Sequence, residues 1–225
     1  MVLPPVFFIP LSLRTMQTEN KPIRIHVFVD YWNIQITLNE RVGAESGIED
    51  CRVKIDCPYF TKIAADKAGI GNYFFDGIDI YASYNPKTPE GKNFNNWMTS
   101  WLNRQPGVRV QCLERQPKKP PTCPCCHKPI EFCPHDGCGK QINATIEKGV
   151  DTLLCTDMIR LAREDAYDIA IVASSDRDLI PAVNFPGSKG IKVIQAGFPP
   201  SGVHLATSCW ASFDIFILRH DIIRP

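Results

Sequence analysis

The chain has 225 residues, with 25 Lys plus Arg against 24 Asp plus Glu and a formal net charge of +1. That balance excludes a basic nucleic-acid coat, so any site for a polyanion must be a local cluster of cations. A hydrophobic fraction of 44% suits one α/β domain with a small decoration, and the apolar run Met1–Leu13 is too short to span a bilayer and lacks a basic leader region.

Residues 1–20 read as a non-core segment, with Met16 as an alternative start. The domain proper is expected over 21–225. Ile23–Asp30 (IRIHVFVD) is nearly continuous in apolar character, as expected of a parallel strand covered on both faces. A helix is expected over Asn33–Val42 and a second over Cys57–Ala68. Ile78–Tyr84 reads as a strand, Phe94–Asn103 as a helix ending before Gln105-Pro106-Gly107, and Val108–Leu113 as a third strand. Residues 116–140 break the alternation with prolines, lysines and cysteines and read as an inserted loop module. Helical spacing resumes over Val150–Arg163, where Leu154, Met158, Leu161 and Ala162 share a face. Ile169–Ala173 is the fourth strand, followed by a short helix at Leu179–Asn184. A fifth strand follows at Ile191–Ala196, then a helix at Gly202–Ser208 and a last strand at Asp214–Leu218. Strands alternating with helices predict a doubly wound parallel sheet.

Aspartates fall where such a sheet binds ligands, outside the carboxyl ends of its strands. Asp30 ends the first strand, Asp176 and Asp178 follow the fourth, and Asp151 opens the preceding helix. Hard oxygen donors suit magnesium or manganese. Each aspartate alone also reads as a helix cap or a dipole partner. Asp157, six residues after Asp151, points about 120° away on an ideal helix and reads as a supporting or solvent-facing group. Asn33 is either a helix cap or a substrate contact. Lys148 either meets phosphate or is merely solvated. Tyr31 and Trp32 directly follow Asp30 and are candidates to stack an unpaired base, Trp32 reading equally as a packing aromatic like Trp97 and Trp101.

Half of the ten cysteines lie between Cys123 and Cys138. Cys123 and Cys126 form a C-x-x-C pair, and Cys133 with Cys138 a second, so a structural four-thiolate zinc is expected. Cys125, His127 and His135 are alternative ligands. Lys118, Lys119, Lys128 and Lys140 rim this insertion, as a grip on nucleic acid or as solvated charge. Thiols distributed this way suit a reducing cytoplasm.

The segments VFVDYWNIQ (Val27–Gln35), EKGVDTLLCTDM (Glu147–Met158) and IVASSDRDLIPAV (Ile171–Val183) together resemble the NYN domain family, its LabA-like branch most closely, within the PIN-like nuclease superfamily. The resemblance implies a helix-flanked parallel sheet with an acidic metal pocket built from Asp30, Asp151, Asp176 and Asp178, with Asn33 beside Asp30. It also implies Mg2+- or Mn2+-dependent cleavage of single-stranded RNA, by the chain alone or as a homo-oligomer, with no membrane partner. A non-catalytic module binding RNA or protein, and a nuclease acting on DNA, are the competing readings. A haloacid-dehalogenase-type phosphatase is excluded because Tyr31 and Trp32 follow Asp30, leaving no Asp-x-Asp. No phosphate-binding loop, G-x-S-x-G or H-E-x-x-H occurs.

Overall fold

β1 (Ile23–Asp30) is the centre of the molecule because both of its faces are apolar. Ile25, Val27 and Val29 enter one core, while Phe28 enters a second on the opposite face, as alternation along a strand requires. The computed structural model describes residues 21–67, 73–142 and 145–224. The expected N-terminal segment 1–20 lies outside them, as does Ala68.

Five further strands join β1: β2 (Tyr73–Tyr84), β3 (Val108–Glu114), β4 (Ile169–Ala173), β5 (Lys192–Gly197) and β6 (Ala211–Asp214). Their spatial order is β3-β2-β1-β4-β5-β6, with every neighbouring pair parallel. The chain therefore builds outward from β1 to β3, then crosses back and builds outward again from β4. The order reverses between β1 and β4, which opens a crevice at the carboxyl ends of those two strands. The expected doubly wound α/β sheet is the observed one.

Helices α1 (Tyr31–Ser46), α2 (Cys57–Lys67) and α3 (Pro89–Ser100) cover one face. Ile34, Leu38, Phe60 and Met98 meet Val27 and Val29 there. The other face carries α4 (Val150–Arg163), α5 (Ile180–Ser188) and α6 (Val203–Ser208), whose Leu154, Met158, Val183 and Leu205 pack with Phe28 and Tyr81. β1, α4 and β4 coincide with their expected bounds. Leu161 is only partly buried, and the inward stripe of α4 includes Asp157 instead.

Three elements differ from expectation, each for a local reason. β2 begins five residues early, at Tyr73, because Asp76-Gly77 is a bulge in the pairing with β1 and not a turn. α3 starts at Pro89, where Thr88 Oγ accepts from Gly91 N at 3.1 Å, and Leu102–Arg104 is a separate 3-10 turn. The expected strand Asp214–Leu218 is a correction: β6 ends at Asp214, whose carboxylate accepts from Phe216 N at 2.8 Å and starts a 3-10 turn over Ile215–Leu218. That turn runs into α7 (Arg219–Ile222) and seals the first core with Ile215 and Ile222.

The 116–140 insertion is entered through a two-residue antiparallel ribbon, Gln116–Pro117 with Thr145–Ile146. Within it, bridges Thr122–Pro129 and Phe132–Gln141 close two small hairpins. No helix among the described residues is long and apolar enough to cross a membrane.

Candidate active site

Asp30 shares the orientation of Phe28, two residues earlier, so its side chain points to the α4 face at the crevice. It is 5% exposed. Ser174, just past β4, donates from Oγ to Asp30 Oδ2 at 3.0 Å, and Asn33 N donates to Oδ1 at 3.4 Å. Asp30 is thus the N-cap of α1 as well as a crevice carboxylate; the two sequence readings hold together. Burial pushes its carboxyl up to about 7. The bonds from Ser174 and Asn33 pull the other way, while the charges of Asp151 and Glu147 reinforce the rise.

Asp151 sits in the first turn of α4. Its carboxyl is raised by burial first, then by the charges of Asp176, Glu147 and Asp178. The thiol of Cys155, one turn further on, is raised by burial and by Asp151, Asp176 and Asp178. Asp151 thus links Asp30 on one side to Asp176 and Asp178 on the other, and Glu147, which sequence reasoning overlooked, acts on both Asp30 and Asp151. Glu147 stands inside the EKGVD motif but precedes α4 in a loop, where no periodicity signals its direction.

The loop after β4 is held tightly. Asp176 N donates to Ser174 Oγ at 3.1 Å, and Asp178 N donates to Asp176 Oδ1 at 2.9 Å. Gln195 on β5 donates to Ser174 O at 2.9 Å. Asp176, not Asp178, caps the turn that follows, leaving the Asp178 side chain 78% exposed. Asn33 is not a cap: its Oδ1 accepts from Ser175 N at 2.9 Å and ties α1 to this loop. Lys148 is exposed beside Gly149, a left-handed residue that turns the chain into α4.

On the β2 side of the crevice, Trp32 Nε1 donates to Ser83 O at 2.6 Å. Its ring packs 4.8 Å from Phe94, and the Arg115 guanidinium lies 5.5 Å from its centre. Buried Ser83 hydrogen-bonds the Glu147 carboxylate through Oγ, which also accepts from Arg115 Nε at 2.9 Å. Ser83 and Arg115 were not legible as site residues, since neither belongs to an acidic or cysteine motif, and Ser174, although inside the Ile171–Val183 motif, carries no charge to single it out. A cavity of about 1060 Å³ runs along α1 past Trp32 and Trp97 and is lined by none of Asp30, Glu147, Asp151, Asp176 and Asp178.

Asp157 is corrected. It is neither solvent-facing nor part of the crevice: it is 6% exposed and accepts from Tyr81 Oη at 3.0 Å and Arg109 Nη2 at 2.9 Å.

Among the described residues, no group of three or more His, Cys, Asp or Glu side chains is arranged to hold a metal ion. For a magnesium-class ion the donor chemistry still fits, because such an ion keeps several waters and needs only one or two carboxylates besides substrate oxygens. A closed zinc site needs four ligands at once, so the expected set Cys123, Cys126, Cys133 and Cys138 is not assembled, with or without Cys125, His127 or His135. Cys123 N donates to Lys128 O and Cys133 N to Lys140 O, both at 2.9 Å, so each cysteine pair sits on its own hairpin. Backbone N–H groups of Cys126 and Cys125 lower the Cys123 thiol below its ordinary range. All ten cysteines are free thiols. Lys118, Lys119, Lys128 and Lys140 are exposed.

The family model described as NYN domain matches residues 24–217. No curated protein matches the chain. A solved structure, a protein of unknown function from Vibrio parahaemolyticus, is similar over 93% of this chain and 100% of that one, at 17% identity and a TM-score of 0.55. That likeness speaks for the fold alone.

Proposed function

Because the chain belongs to the NYN domain family, we propose that it is a metal-dependent endoribonuclease that hydrolyses single-stranded RNA at the crevice between β1 and β4. NYN domains form part of a nuclease superfamily, generally act on RNA and generally depend on a divalent metal. The observation that supports the finer reading is that buried Asp30, held by Ser174 and Asn33 at the sheet's reversal point, feels the charges of Asp151 and Glu147, while Asp151 feels those of Asp176, Glu147 and Asp178.

Asp30, Asp151, Asp176 and Asp178 would hold the Mg2+ or Mn2+ ion, with Glu147 added to the notional set. When bound, such an ion supplies positive charge against the phosphodiester and makes water more acidic. The protein's part is to keep the carboxylates aimed. Ser174 and the α1 backbone orient Asp30, and Asn33 and Gln195 lock the loop that presents Asp176. Mutual repulsion makes the empty cluster costly and cation binding favourable. Trp32 offers an indole at the crevice wall for an unpaired base, and Lys148 an exposed ammonium for a phosphate.

Asp30→Asn and Asp176→Asn should each abolish cleavage of labelled single-stranded RNA in manganese buffer while leaving circular dichroism and the melting transition cooperative. Full activity in both variants, or in EDTA, would sink the mechanism. The competing reading is a binding module without turnover. It draws on the absence of three pre-gathered carboxylates among the described residues, and it predicts RNA binding with no metal-dependent product.

A further inference from the structure

We infer that Arg115 is a phosphate-binding residue that grips the RNA backbone on the β2 side of the acidic crevice. The inference rests on the ribonuclease reading for its ligand but on separate residues for its geometry.

Arg115 is the first residue beyond β3, and its backbone N donates to Tyr84 O at 2.8 Å, which holds it level with the end of β2. Its side chain is fixed twice. Nε donates to Ser83 Oγ at 2.9 Å, and the guanidinium carbon lies 5.5 Å from the Trp32 ring centre. Ser83 uses its hydroxyl fully, contacting the Glu147 carboxylate and accepting from Arg115. One hydroxyl therefore separates the arginine from a member of the acidic cluster.

What the arginine lacks is an anion. Among the described residues no carboxylate lies within ion-pair distance of it, and its Nη groups meet no acceptor. Arg24, Arg109, Arg160, Arg219 and Arg224 all have acidic partners. Arg41 donates to the carbonyls of Phe198 and Pro199. Arg115 is half-buried, oriented and unpaired at the edge where the polyanion must approach.

The electrostatics demand such a group. Five carboxylates repel a phosphodiester, and a chain with net charge +1 offers no general attraction. A planar fork held against an indole presents two Nη groups to phosphate oxygens with little ordering left to do. Lysine has neither the fork nor the stacking plane, so it replaces only the charge.

The test measures steady-state cleavage of a labelled single-stranded oligoribonucleotide by wild type, Arg115→Ala and Arg115→Lys across a salt series, with binding by fluorescence anisotropy on the same samples. Expected for Arg115→Ala is a roughly tenfold rise in KM with kcat little changed, and a salt slope shallower by about 0.7, as for one lost contact to a single strand. Arg115→Lys should restore the slope but only part of the affinity. If wild type cleaves and Arg115→Ala keeps its KM and slope, the inference is overturned while the ribonuclease reading stands. If wild type binds without cleaving and Arg115→Ala loses binding, the catalytic reading fails and Arg115 stands. If wild type neither binds nor cleaves RNA, both fall.

Discussion

The α4 face of the sheet holds two sets of carboxylates, each with buried members. One is the crevice set, with Asp30 at 5% exposure; the other is the pair Asp79 and Asp157, at 2% and 6%. Asp79 accepts from Arg109 Nε at 2.7 Å, Asp157 accepts from the same guanidinium at 2.9 Å, and Tyr81 Oη donates to both. Burial works to raise the Asp79 carboxyl, but His26 and Arg109 outweigh it and hold it below its ordinary value. Asp30 has hydroxyl and amide donors but no cation, and its carboxyl rises to about 7. Burial alone therefore does not mark a functional carboxylate. A missing counter-charge is what separates Asp30 from Asp79, and it is the feature that supports the proposed cation site. Both sets touch α4, so the compensated pair anchors the helix whose first turn presents Asp151.

Three experiments can break or sharpen that contrast. The largest effect is expected from Arg109→Met, which removes the cation that Asp79 and Asp157 share and leaves them only His26 and Arg160. The loss of stability should be about 3 kcal/mol in a denaturant melt, toward the low end for a buried pair because the Arg109 side chain is 41% exposed. A loss under about 1 kcal/mol would mean that the pair is not compensated in the way described.

Next comes the pH dependence of Asp30→Asn in EDTA. The folded pKa of Asp30 is raised, so its contribution favours the fold below about 3.8 and is lost as pH climbs through about 7. The variant should therefore be more stable than wild type above pH 7, by about 1–2 kcal/mol out of an upper bound near 4. That advantage should shrink between pH 7 and 4 and vanish below. Saturating Mg2+ should raise the wild-type melting temperature and leave the variant behind. Identical melting of the two proteins at pH 8 in EDTA would place Asp30 with Asp79 among the compensated acids.

The smallest effect belongs to Arg160→Ala. Arg160 also meets Asp157, at 3.2 Å, but its side chain is 42% exposed, so a thermal melt should show a loss of about 0.5 kcal/mol or less. A larger loss would make Arg160, and not Arg109, the cation that Asp157 depends on.

Much of the scaffold was legible beforehand. β1, α4 and β4 are dense in apolar residues at their own period, and their bounds follow from that pattern alone. Errors gathered where the chain departs locally from its period: Asp214 turning β6 into a 3-10 turn, Asp76 standing without a register partner in a bulge of β2, Thr88 starting α3 early. At the site, Asp30, Asp151, Asp176 and Asp178 were legible because they stand at strand ends and a helix start. Glu147, Ser174, Ser83 and Arg115 were not, since each is defined by a neighbour far away in the chain.

By itself, the sequence determined the doubly wound sheet, the position of its crevice and the acids on either side of it. Those features follow from short-range periodicity and from a strand order that parallel connections allow. Tertiary structure alone decided which charges are answered. Asp157 meets Arg109 across 48 residues, and Ser174 meets Asp30 across 144. Local pattern places a side chain on a face. Only the packing of distant segments sets whether a buried charge finds its partner within the protein or must take it from outside.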